Sequence, residues 1–111
     1  MTQQSFPEPV SSLPLADVPL EGVTARLLQG DNGEVVFVHF EKDTIVPEHT
    51  HGGQCEFTLD GEVDLTVDGE TRTYRKGEHF SIPAGVPHSG FVHAGYKAIM
   101  VFEERDRYRA K

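Results

Sequence analysis

Two stretches of this chain carry residue types that can do chemistry together. The first is His49-Thr50-His51-Gly52-Gly53-Gln54, and the second is Pro83-Ala84-Gly85-Val86-Pro87-His88. Side chains alternate with period two on an extended strand, so His49 and His51 are expected to face the same way. Gln54 opens the next strand, and His88 follows a Pro-Gly-Pro turn. Three neutral imidazole nitrogens and one amide oxygen suit a single divalent transition metal (Zn, Ni, Mn, Fe or Cu), with open positions left for water or substrate. Because Gln54 is neutral, the cation keeps its full charge. That strengthens it as a Lewis acid and favours an anionic substrate.

The elements that must position these groups read as short strands. Val23 to Gln29 and Glu34 to Glu41 flank the turn Gly30-Asp31-Asn32-Gly33, and the second strand is rich in β-branched and aromatic residues. Lys42-Asp43 turns the chain into Thr44 to His51. Asp68-Gly69 is the strongest hairpin mark, between Val63–Val67 and Thr71–Tyr74. Phe80 to Ile82 is a short strand. Phe91 to His93 and Lys97 to Glu103 are read as a last hairpin around Ala94-Gly95-Tyr96. No segment outside the charged tail shows helical apolar spacing. Many short strands with turn marks about every 8–12 residues argue for an all-β sandwich or barrel.

Composition narrows the function. The 111 residues fit one domain, with an N-terminal arm over 1–20 and a single barrel over 21–111. Formal net charge is -8 and the pI is about 5.1, which argues against nucleic acid or anionic membrane as a partner. No apolar run approaches the ~18 residues that span a bilayer. The N-terminus lacks the basic start and apolar run of a secretory signal. Cys55 is the one cysteine, so no intrachain disulfide forms and a cytoplasmic home is expected. Prolines 7, 9, 14 and 19 exclude a regular helix or central strand from the arm, which is expected to be extended with a loose tip. Its apolar residues, Leu13, Leu15 and Leu20 among them, need a surface to cover. An exposed sheet edge also invites pairing, so a homodimer is expected.

The two motifs together resemble those of the cupins, small double-stranded β-helix (jelly-roll) barrels. The family's first motif has the form G-x5-H-x-H-x3,4-E-x6-G, met here by Asp43, His49, His51, Gln54 and Gly61. The other has the form G-x5-P-x-G-x2-H-x3-N, met by Gly77, Pro83, Gly85 and His88. The departures are Asp43 for glycine, Gln54 for the usual glutamate ligand after a turn one residue short, and Val92 for the final Asn. The resemblance covers about residues 35 to 102 and implies a metal held by His49, His51, His88 and a fourth group. Counting back from Gly61 selects Gln54; counting forward from His51 reaches Glu56, two residues on and on the same face.

With Gln54 as ligand, Glu56 is free as an inward carboxylate, either a general base or a hydrogen-bond partner behind the ligands. Glu103, at the end of the last strand, is a second proton-transfer candidate. Arg105, Arg107 and Arg109 follow it in a tail of alternating charge. That tail is either a solvated end or a source of one arginine that grips a substrate carboxylate, with Arg105 and Arg109 carried as the candidates. His39, His79 and His93 read as surface or hydrogen-bonded histidines, and Phe37, Phe57, Phe80, Phe91 and Phe102 as core. The resemblance extends to small cupin isomerases that open unsaturated sugar acids. It therefore implies an enzyme acting on a sugar acid or carbonyl acid by metal-assisted proton transfer. A metal-dependent dioxygenase, a non-catalytic small-molecule-binding module and a structural role remain open alternatives.

Overall fold

A computed structural model of the chain describes residues 5–111, so the expected loose tip of the arm lies outside the described residues. Nine strands follow one another: β1 (Val23–Gln29), β2 (Glu34–Phe40), β3 (Thr44–His49), β4 (Gln54–Asp60), β5 (Glu62–Val67), β6 (Glu70–Arg75), β7 (His79–Ile82), β8 (His88–Val92) and β9 (Lys97–Phe102). They form two antiparallel sheets, ordered β1-β2-β9-β4-β7 and β3-β8-β5-β6, which face each other as a jelly roll. Among the described residues the only helical turn is Val10–Ser12, inside the proline-rich arm. No helix of the described residues is long and apolar enough to cross a membrane.

The hairpin expected at Asp68-Gly69 is present, with β5 paired to β6. Both turn residues take positive φ, 53° and 77°, which matches the right-handed twist of the strands they join. The last hairpin is corrected. β8 pairs with β3 and β5, whereas β9 pairs with β2 and β4, so the chain crosses between the sheets at residues 93–96. Asp43, standing where the resemblance expects glycine, caps this crossing: its Oδ1 accepts from the Ala94 amide at 2.8 Å.

The core lies between the sheets. β2 alternates strictly, with Val36, Val38 and Phe40 inward. Each such side chain contributes about 1.5–3 kcal/mol by leaving water. Tyr96, in the crossing between sheets, is fully buried. It sits directly over Gly61, where a Cβ would lie 2.8 Å from the Tyr96 Cα and where φ is +72°. Only glycine permits that approach.

The arm packs on its own barrel. The Leu27 amide donates to the Pro14 carbonyl, the Ala16 amide to the Ala25 carbonyl, and Ala16 also bridges to Ala110. Val18 and Leu20 cover the core, and Phe6 meets Phe37 edge-on. Phe57, read as core, is instead 43% exposed on the outer face of β4, because Glu56 and Thr58 take the inward positions of that strand.

The inward alternation of β2 also takes in a carboxylate. Glu34 is 1% exposed and accepts from Gln29 Nε2 (2.8 Å) and from the Tyr108 amide (2.9 Å), tying the C-terminal tail to the barrel. Burial raises its pKa above the ordinary 4.5, against the pull of those hydrogen bonds. A raised folded-state pKa stabilises the protein fully below the unfolded value and progressively less as pH rises through the folded one. The stability of the wild type relative to Glu34→Gln is therefore expected to fall as pH rises from 4.5. Urea melts across that range check this, and a pH-independent difference would contradict it.

Candidate metal centre

His49 and His88 meet because they are a cross-strand pair. β3 pairs regularly with β8 from Thr44↔Val92 to Val46↔Gly90; the register then shifts, and His49 comes opposite His88. The irregularity contains Pro47, which has no N–H to lose from the ladder. His51 is not on the strand, as the alternation argument expects; β3 ends at His49 and His51 lies in the following loop. The loop returns it to the same place. Its carbonyl accepts from the Gly85 amide at 2.9 Å, which hooks the His51 segment to the turn that delivers His88. From the other side, the Gly53 carbonyl accepts from the Glu103 amide (2.9 Å), and the Gly52 amide donates to Glu104 Oε1 (2.5 Å).

The three rings converge. Centroids lie 4.2 Å apart for His49–His88, 4.8 Å for His51–His88 and 5.1 Å for His49–His51. One ligand atom from each falls within 4.8 Å of the others. Each Nδ1 contacts a main-chain carbonyl: His49 that of Pro47 (2.8 Å), His51 that of Gly52 (2.7 Å) and His88 that of Val86 (3.0 Å). A carbonyl only accepts, so each Nδ1 carries the proton and each Nε2 keeps a free lone pair. The rings are thus in the tautomer a metal requires. Burial lowers the pKa of His51 and of His88, and the nearby Arg107 charge lowers both further. Neutral imidazole, the ligating form, is favoured.

Gln54 and Glu56 face the same cavity as the histidines, with a volume of about 330 Å3. Gln54 Nε2 donates to Glu56 Oε1 at 3.0 Å. The amide nitrogen is spent there, so Gln54 Oε1 is the atom left for a cation. Glu56 is 4% exposed, and its Oε2 accepts a short hydrogen bond from the Tyr96 hydroxyl, which in turn contacts Thr58 Oγ1 at 3.3 Å. Burial pushes the Glu56 carboxyl up to about 7, opposed by the hydrogen bonds from Tyr96 and Gln54. The donor set fits a divalent first-row ion: three imidazole nitrogens with fixed tautomers, and an amide oxygen beside them.

Other sequence candidates fall elsewhere. Glu103 lies outside this cavity; its carboxylate accepts from the Gly53 amide at 3.2 Å and helps hold the ligand loop. Arg105 and Arg109 are exposed and do not line the cavity, whereas Arg107 does. His39 bonds Ser5 (2.7 Å), His93 bonds Asp64 (2.8 Å) and His79 stacks on Phe57. Cys55 is a free thiol on the face opposite Gln54. Sequence reasoning missed Tyr96, whose turn position gives no sign that its hydroxyl reaches Glu56.

Comparison with known proteins agrees with this fold. A family model described as "Cupin domain" matches residues 36–102. Among solved structures, an RmlC-like cupin from Shewanella frigidimarina superposes with a TM-score of 0.75 at 21% identity, covering 94% of this chain and 95% of that one. KdgF from Halomonas sp. gives a TM-score of 0.72 at 19% identity, covering 82% and 87%. A variant oxalate decarboxylase from Bacillus subtilis gives 0.68 at 20% identity over 85% of this chain and 28% of that one. At these identities the structures share the fold. No functionally curated protein matches the chain.

If these imidazoles form a metal centre, replacing any one of His49, His51 and His88 with alanine should weaken metal binding. The expected loss exceeds the ~10–100-fold that partners behind the ligands contribute. His93→Ala is expected to leave uptake unchanged. Cobalt titration followed by absorbance checks this, and equal uptake by all four variants and the wild type would refute the centre.

Proposed function

The chain belongs to the cupin-domain family, and from that premise we propose that it is a metal-dependent enzyme performing isomerase-like proton transfer on a small sugar acid or carbonyl acid. A divalent ion held by His49, His51, His88 and Gln54 would supply Lewis-acid polarisation of a carbonyl, enol or hydroxy-acid oxygen. The observation that carries the reading is Glu56, a buried carboxyl lining the same cavity as the ligands, with its pKa raised to about 7. A group that titrates near neutrality populates both the form that accepts a proton and the form that returns it. Tyr96 donates to Oε2 and Gln54 to Oε1, and the remaining lone pair of Oε1 takes up and returns the proton. The apolar wall from Val63, Leu65, Phe80 and Ile82 restricts water around the exchange.

Glu56→Gln keeps the shape and removes the titration. It is expected to lower kcat by about 10²–10⁴ while metal content stays at the wild-type level. The substrate assay compares turnover of 4,5-unsaturated galacturonate with oxygen consumption on flavonols and diketones. Oxygen uptake without isomerisation would favour a dioxygenase. A bound small molecule without turnover would favour a binding module.

Assembly is a second point. Within the arm, Val18 and Leu20 pack on their own barrel while Leu15 stays 39% exposed. The outer face of the five-stranded sheet asks for a partner. Leu28, Val35, Val101 and Cys55 are successive cross-strand neighbours on it, and Phe37, Ile99 and Phe57 form a parallel row. Leu28 and Phe57 are 52% and 43% exposed. We propose a homodimer through this face. Sedimentation is expected to give a dimer that Phe57→Glu dissociates; a wild-type monomer at micromolar concentration would refute it.

A further inference from the structure

Arg107 is placed unlike the other arginines of the tail. Arg105 and Arg109 are exposed, and Arg109 lies 3.9 Å from Asp106. Arg107 lines the cavity that holds His49, His51 and His88. Its guanidinium stacks 4.6 Å from the Tyr108 ring centroid and 6.0 Å from that of Phe102, and Phe102 lies 5.6 Å from the His51 ring. Stacking occupies the flat face of the guanidinium, and its terminal N–H groups lie along the edge. Arg107 Nε is buried and has no hydrogen-bond partner, alone among buried side-chain nitrogens and oxygens of the described residues. None of the carboxylates of the described residues forms an ion pair with it. A buried donor without a partner costs about 1–3 kcal/mol, which sets this guanidinium apart from the paired side chains around it.

The tail is held where this edge stays in the cavity. Gln29 Nε2 donates to the carbonyls of Arg105 (2.9 Å) and Tyr108 (3.2 Å), and Glu34 accepts from the Tyr108 amide (2.9 Å). Both flanks of Arg107 are thus fixed by the start of β2 and the end of β1. The molecule as a whole carries a formal charge of -8 and repels anions. An anion therefore enters this cavity only if groups inside it outweigh the surface.

Resting on the metal-centre reading above, we propose that Arg107 is the residue that selects the substrate, gripping a carboxylate through its N–H edge while another oxygen of the same molecule faces the histidines. The substrate class is then a small molecule bearing a carboxylate and, at a separate position, a carbonyl or hydroxyl. A guanidinium pairs a carboxylate through two parallel hydrogen bonds, which fixes orientation as well as charge. The cavity, about 330 Å3, stands at the small end of the ~300–1,000 Å3 typical of ligand sites.

The test uses cobalt-loaded protein and two probes that differ only in charge, galacturonate and its neutral methyl ester. The cobalt spectrum reports the metal separately from calorimetric binding of the probes. Wild type is expected to bind the acid about tenfold or more tighter than the ester. Arg107→Gln is expected to erase that preference without altering the cobalt spectrum of the ligand-free protein. Arg107→Lys should restore part of it, and Arg109→Gln should leave it intact. A preference that survives in Arg107→Gln would overturn the proposal. So would a wild type that shows no preference for the acid, including one that binds neither probe. Failure to take up cobalt would instead sink the metal centre, and the acid–ester comparison on metal-free protein would then decide the arginine's role alone.

Discussion

Three imidazoles must be brought together while each keeps one lone pair unspent, and the rest of the molecule answers to that constraint. Left alone, a buried ring nitrogen recruits whatever donor is near. Here each ring's proton is committed to a main-chain carbonyl, of Pro47, Gly52 or Val86. The lone pairs then have only one another and the cavity to face. Main-chain carbonyls stay in place only if the loops do, and this explains the hydrogen bonds that converge there. The Gly85 amide reaches the His51 carbonyl, and the end of β9 clasps Gly52 and Gly53 through main chain and two glutamates. The barrel is in this sense a frame that holds two loops at a fixed separation.

A polar chain continues inward from the ligands. It runs from Gln54 to Glu56 to Tyr96 to Thr58. At this depth, a carboxylate with a single partner would be severely destabilising. Two donors make it tolerable while leaving it close to neutrality in its titration. The same chain decides which end of the Gln54 amide is available. The candidate ligand Gln54 and the buried carboxyl of Glu56 are thereby joined by one hydrogen bond.

Much of this was legible from residues alone. The two motifs bring His49, His51, Gln54 and His88 to one cavity, although His51 reaches it from a loop and not through the strand period. Strand positions were read closely, since β-branched and aromatic runs between Gly-Asn-Asp turns have few alternatives. Three things were not legible. The crossing at residues 93–96 looks like a hairpin, because local turn chemistry does not reveal which sheet the next strand joins. Phe57 reads as core from its type, although the same alternation that turns Glu56 inward turns it outward. The tail has no period from which to tell Arg107 from Arg105 and Arg109; what distinguishes it is Gln29 and Glu34, distant in the chain and decisive only once folded.

Gly61 touches no ligand and lies on no loop of the site. Yet the contact it makes with the Tyr96 backbone seats the phenol whose hydroxyl holds Glu56. A residue remote from the histidines thereby governs how the buried carboxyl is held. A methyl group at that position would displace the phenol as well as strain the turn, so the glycine that closes the first motif answers to the seating of Glu56.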